Sequence, residues 1–142
     1  MDSDIFITLA TLKYLKKGGR ITPAAAALGG LLKIKPVLLI KGDKLDKYRM
    51  RNRTMENAKG IMIEAIKDTL ENKNKDDYHF CVAYTGTEKE EAIKFAEEVK
   101  KEFGVNEVML DPLSLSVSCH IGDGALAIAT SRKLPKQYLE NK

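Results

Sequence analysis

LATLKYLKKGGRITPAAAALGGLLKIKPVLLI, residues 9–40, is the stretch whose reading decides the fold of this 142-residue chain. Leu9, Leu12 and Leu15 recur at helical spacing while Lys13, Lys16 and Lys17 take the other side, which predicts a short amphipathic helix. Gly18 is expected to supply the positive φ that ends it. Thr22 and Pro23 form an N-cap and first-turn pair, because a hydroxyl can accept an orphan backbone N–H and proline has none to waste there. The predicted second helix, Ala24 to Leu32, offers only alanine, leucine and glycine to its surroundings. Gly29 and Gly30 each cost about 1 kcal/mol relative to alanine inside a helix, so they imply close approach of another group. Arg20, between the helices, is a planar cation with five donors. It could meet an anion or cap helix-end carbonyls, and the residues alone leave both roles open.

Outward from this block the chain alternates strands and helices. Ile5 to Leu9 and Val37 to Ile40 read as strands, and Gly42-Asp43 as a hairpin turn leading to a strand over Leu45 to Met50. Arg49, Arg51 and Arg53 are expected on one side of that extended stretch. Thr54 caps a helix whose Met55, Ala58, Met62, Ala65, Ile66, Thr69 and Leu70 trace one apolar stripe. Its methionines suit either a core or a pocket for a flexible chain. The strand His79 to Tyr84, the helical stripe Ala92, Phe95, Ala96, Val99 and Phe103, a stop at Gly104 and the strand Val105 to Leu110 make one parallel βαβ unit. That unit places Thr85-Gly86-Thr87 and Asp111 at the carboxyl edge of the sheet, with residues 84–87 read as an ordinary turn. Leu113, Leu115, Val117 and Cys119 alternate like a strand, Gly124 to Thr130 reads as a closing strand, and the polar tail from Arg132 is expected to fray. The fold class is therefore α/β, a mixed sheet covered by helices.

Composition narrows the functional classes. Hydrophobic residues make up 44% and charged residues 31%, and no apolar run approaches the roughly 20 residues of a membrane span. Met-Asp-Ser-Asp has neither the basic start nor the apolar segment of a signal peptide, so a cytoplasmic location is expected. Cys81 and Cys119 lie far apart in apolar segments and read as buried free thiols, with no metal site. The net charge is +4, but the lysines alternate with glutamates and no recognition module accompanies them, so nucleic acid is not the expected partner. No nucleophile, base and orienting group form a motif, which argues against an enzyme.

Residues 12–21, LKYLKKGGRI, and 27–36, ALGGLLKIKP, resemble the second half of DegV-family proteins, the bacterial fatty-acid-binding proteins. Arg53-Thr54 and His120-Ile121-Gly122-Asp123-Gly124 fall where that family carries an Arg-Thr pair and a His-x-Gly-Pro-Gly segment. Family members are longer, so the resemblance implies that residues 1–142 are a single C-terminal domain, the acyl-chain-binding half of a two-domain protein, with the N-terminal domain absent. It also implies a short helix before His120, in place of the strand that alternation suggests. The implied ligand is a long-chain fatty acid, with no cofactor. By resemblance His120, with Gly122 and Gly124, meets its carboxylate, while Leu28, Gly29 and Leu32 flank its acyl chain. Arg20 and Arg53 are implied docking residues for a separate fatty-acid kinase that forms an acyl-phosphate. Asp123 replaces the family's proline and is expected to face solvent, since a carboxylate would repel the ligand. Two rival readings stand beside this one: a small phosphotransferase or hydrolase using Gly18 to Arg20 and His120, and a basic-surface interaction module.

Overall fold

A computed structural model describes residues 3–19, 34–41, 44–49, 52–87 and 89–138. Its elements are β1 (Ser3–Thr8), α1 (Lys13–Lys17), β2 (Val37–Lys41), β3 (Lys44–Arg49), α2 (Met55–Thr69), β4 (Tyr78–Tyr84), α3 (Lys89–Phe103), β5 (Met109–Pro112), α4 (Leu115–Ile121) and β6 (Leu126–Arg132). The strands form one sheet in the order β3-β2-β1-β6-β4-β5. Neighbours are antiparallel except β4 and β5, the parallel pair joined by α3. This is the mixed α/β sheet with one parallel βαβ unit that the sequence predicts. None of the helices among the described residues is long and apolar enough to cross a membrane.

Alternation along the strands divides the core between two faces. Phe6, Val37, Phe80, Val82, Leu126 and Ile128 point toward α2 and α3, which bury Ala58, Met62, Ile66, Phe95 and Val99 against them. The predicted stripes on both helices are the buried ones. Thr54 Oγ1 accepts the Asn57 backbone N–H at 3.2 Å, so the expected cap of α2 is made. Met62 is fully buried, which settles its side chain as core. Thr8, also fully buried, leaves its hydroxyl without a hydrogen-bond partner among the described residues. Thr8→Val, which replaces that hydroxyl with a methyl, is expected to raise the unfolding free energy by about 1 kcal/mol in urea titration. A loss of stability would mean that the hydroxyl is satisfied.

On the opposite face Ile7, Leu38, Ala127 and Ala125 pack with Leu9, Leu12 and Leu15 and with Ile121 of α4. The first helix is shorter than its leucine spacing predicts, because Leu9 and Leu12 precede α1 although both are buried. Leu9 N–H instead donates to Pro36 O at 3.4 Å, prolonging the β1–β2 pairing. Gly18 has φ −80° and it is Gly19 that turns to +66°, so the expected positive-φ stop lies one residue later. The alternation from Leu113 to Cys119 is a helix, as the family resemblance implies, since Leu115 is 80% exposed and strand-like burial never develops. The strand before Thr54 ends at Arg49, leaving Arg53 exposed in irregular backbone instead of on a strand face. Helix Ala24 to Leu32, the Thr22-Pro23 cap, the Gly42-Asp43 turn and Arg51 lie outside the described residues.

Candidate binding edge

The strand register brings the chemistry-bearing loops to one edge. Thr8 pairs with Val37 and Leu126, Val37 with Arg49, Leu126 with Tyr84, and Tyr84 with Pro112. The ends of all six strands therefore meet where the 9–12, 34–36, 52–54, 85–87, 113–114 and 122–125 segments emerge. Lys35 stitches two of them together: its N–H donates to Asn52 O at 2.6 Å and its Nζ to Ala10 O at 2.6 Å.

The turn after α4 lies near the centre of this edge. Gly122 is its C-cap, with φ 77° and ψ −176°, and Gly124 has φ +78°. That backbone is one that L side chains rarely adopt. Close approach explains the same residues a second time. A Cβ on Gly122 would overlap the Tyr14 ring of α1, and one on Gly124 would lie 2.8 Å from the Ala10 Cβ. His120 is exposed, and its Nδ1 lies 3.3 Å from where a Cβ on Gly18 would stand. Thr85, buried at the end of β4, donates its hydroxyl to Gly122 O at 2.6 Å and accepts the Ala125 N–H at 3.0 Å. Its own N–H donates to Ala125 O at 3.1 Å.

His120, in the last turn of α4, thus stands beside the turn of Gly122 and Gly124, with Tyr14 of α1 and its C-cap Gly18 against them. Arg53 is exposed beside Asn52 at the same edge. Leu28, Gly29, Leu32 and Arg20 lie outside the described residues. Asp123 is exposed, as expected, yet it also rests on the β4–α3 turn: a Cβ on Gly86 would be 2.6 Å from its Oδ1. Sequence reasoning placed Thr85 and Gly86 at this edge but read residues 84–87 as an ordinary turn, and it assigned no site role to Tyr14 or Lys35. Each is revealed by a partner distant in the chain, so the only local hint was a Thr-Gly pair at a strand end.

Cys119 is exposed on α4, correcting its reading as a buried thiol, because its apolar neighbours Leu115 and Val117 are themselves exposed. Cys81 is half-buried, and burial followed by the charge of Asp111 pushes its thiol above the ordinary value, which disfavours the reactive thiolate. Among the described residues no group of three or more His, Cys, Asp or Glu could hold a metal ion. A crevice of about 340 Å³ opens at the far edge beside Tyr78, His79 and Met109. Its Lys75 and Lys133 ammoniums are both held by carbonyls, those of Gly104 and Asp76, each at 2.8 Å.

Residues 2–133 match the family model described as "Uncharacterised protein, DegV family". A DegV domain-containing protein of Clostridium perfringens is 31% identical over 135 residues, which covers 93% of this chain and 45% of that relative. Another, from Clostridium acetobutylicum, is 34% identical over 118 residues, 83% of this chain and 40% of the relative. The chain thus spans less than half the length of these relatives. Among solved structures, a fatty acid binding DegV family protein from Streptococcus agalactiae superposes with a TM-score of 0.78 at 25% identity, covering 94% of this chain and 46% of that one. A stearic acid-binding protein from Eubacterium ventriosum gives 0.76 at 28% identity, with 93% and 45% covered. The fatty acid binding protein of the same family from Bacillus subtilis gives 0.73 at 25% identity, with 92% and 45% covered.

Proposed function

Because the chain belongs to the DegV family, we propose that it binds a long-chain fatty acid, with the carboxylate at the 120–124 turn and the acyl chain along the adjoining sheet face. In this reading it is the C-terminal, acyl-chain-binding domain of a longer, cytoplasmic protein, and binding without catalysis is its role. The observation that carries the reading is exposed His120 beside a glycine turn held by close packing against Tyr14 and Ala10. A turn fixed in this way can present its histidine to a head group without reordering on binding. The face leading away from the turn supports the acyl path. Ile5, Ile40, Cys81, Ala83 and Ala129 on it are only half-buried among the described residues, and the alanines leave room above the sheet.

Hydrocarbon burial supplies the affinity in this scheme. A sixteen-carbon chain removed from water at about 0.8 kcal/mol per methylene represents a gross driving force on the order of 10 kcal/mol. The head-group contacts then set orientation, fixing which end of the ligand reaches the edge. Arg53, exposed at that edge, is suited with Arg20 to receive a separate kinase that phosphorylates the presented carboxylate.

Native mass spectrometry of the chain purified without detergent is expected to reveal a co-purifying saturated fatty acid. After delipidation, His120→Ala is expected to weaken palmitate binding about tenfold, the loss typical of one hydrogen bond to a charged group. Failure of the wild-type chain to retain or rebind any fatty acid would sink the proposal; undiminished binding by His120→Ala would remove the histidine from it.

A further inference from the structure

We propose that Thr85 is a positioning residue for the head group, holding the 122–125 turn in the conformation that receives the carboxylate. This rests on the fatty-acid reading and extends it to a residue buried at the end of β4. The Thr85 side chain is 1% exposed, so its hydroxyl is removed from water and must find its partners within the protein. Both partners belong to the turn. Oγ1 donates to Gly122 O at 2.6 Å and accepts from Ala125 N–H at 3.0 Å, so a single atom ties the first residue of the turn to the last. The backbone N–H of Thr85 adds a bond to Ala125 O at 3.1 Å.

The brace matters because of what it holds. Gly122 and Gly124 both sit at positive φ, and glycines are the residues with the most conformations to lose on becoming fixed. Left to themselves, Asp123 and its two glycine neighbours would sample many arrangements, and a carboxylate ligand would have to select one of them on binding. The hydroxyl makes that selection in advance. The next residue completes the seat: Gly86 has no side chain, and the Asp123 carboxylate occupies the space a Cβ there would need. The Asp123 carboxylate thereby has room beside the β4–α3 turn.

The test compares palmitate with hexadecanol, ligands of equal chain length that differ in head group, on the delipidated chain. Thr85→Val removes the hydroxyl at nearly constant volume. It is expected to weaken palmitate binding about tenfold while leaving hexadecanol binding unchanged. Thr85→Ser, which keeps the hydroxyl, is expected to bind both ligands within about twofold of wild type, under a third of the 1.4 kcal/mol that a tenfold change represents. Should Thr85→Val fail to fold, Thr85→Ala against Thr85→Ser isolates the hydroxyl in the same way. Equal losses for the two ligands would show a merely structural role and overturn the proposal, as would unaltered palmitate binding. If wild type binds neither ligand, the fatty-acid reading itself fails, an outcome distinct from a variant that matches wild type.

Discussion

Gly122→Val is expected to lower stability by about 4 kcal/mol and to abolish palmitate binding. Its φ of 77° and ψ of −176° lie in a region open essentially only to glycine, and a β-branched residue held there costs roughly 1–3 kcal/mol. Overlap adds to that strain. The new Cβ would fall on the Tyr14 ring, 3.0 Å from its Cγ and closer still to Cδ2 and Cε2. The ring cannot escape by bending its tip, because contact reaches back to the first ring atom. Either α1 shifts, disturbing the burial of Leu15, or the turn unwinds; overpacking of this kind costs roughly 1–3 kcal/mol. Calorimetry is expected to show a fall in the unfolding midpoint of more than about 10 °C. An unchanged midpoint would mean that the turn is looser than its packing implies, and the preorganised site would go with it.

Lys59→Ala is expected to cost about 3 kcal/mol, with Lys59→Met costing only about 1 kcal/mol, both measured by urea unfolding. The Lys59 side chain is 4% exposed, with its ammonium 2.6 Å from Glu56, 3.6 Å from Glu91 and 3.7 Å from Glu98. Alanine keeps Cβ, so three buried methylenes at about 0.8 kcal/mol each, together with the lost ion pairs, account for the alanine figure, and methionine retains most of the methylene contact. The carboxylates are far more exposed than the lysine, so water can solvate them once the cation is gone. Charge determines the pH response. Burial favours the neutral amine, but the hydrogen bond to Glu56 and the charges of Glu98, Glu56 and Glu91 outweigh it and raise Lys59 above 10.5. Its contribution is therefore complete below 10.5 and fades as pH rises through the folded value. Glu91 is shifted the other way, below 4.5, by the hydrogen bond from Lys94 and the charges of Lys94 and Lys59. Its contribution is complete above 4.5 and fades as pH falls through the folded value. Lys59→Met should remove the alkaline part of this dependence and reduce the acidic part. A stability profile identical to wild type at both ends would rule out the cluster as its source.

The comparison of Lys59 with Lys67 shows what a sequence can disclose. Both lie on α2 three or four residues from a glutamate, and both fit the general expectation of solvated lysines. Lys67 is 41% exposed and pairs with Glu64 and Glu102 at the surface. Lys59 instead falls where α3 crosses α2, and nothing in its own neighbourhood distinguishes it. Cys119 gave the opposite error. An apolar local segment implied burial, but α4 lies at the sheet edge with both Leu115 and Val117 exposed.

The candidate site was legible to the same degree. His120, Gly122 and Gly124 were found because they are consecutive or nearly so, and a motif records such spacing. Thr85 was placed at the sheet edge, but its bracing of the turn stayed hidden because its partners stand 37 and 40 positions away and its neighbours describe only an ordinary βα turn. Tyr14 lies within the motif-bearing run 12–21, but nothing in that run indicates that its ring covers Gly122.

By itself the sequence determined the α/β class, the apolar stripes of α2 and α3, the Thr54 cap and the glycines of the 122–124 turn. These depend on side-chain periodicity and hydrogen bonds that close within a few residues, so the local chain contains their cause. Tertiary structure alone decided that six strand ends meet at one edge, that Lys59 is enclosed by carboxylates, and that Thr85 and Tyr14 secure the turn. Those outcomes follow from strand register and helix packing, in which residues far apart in the chain become neighbours only after the sheet has formed.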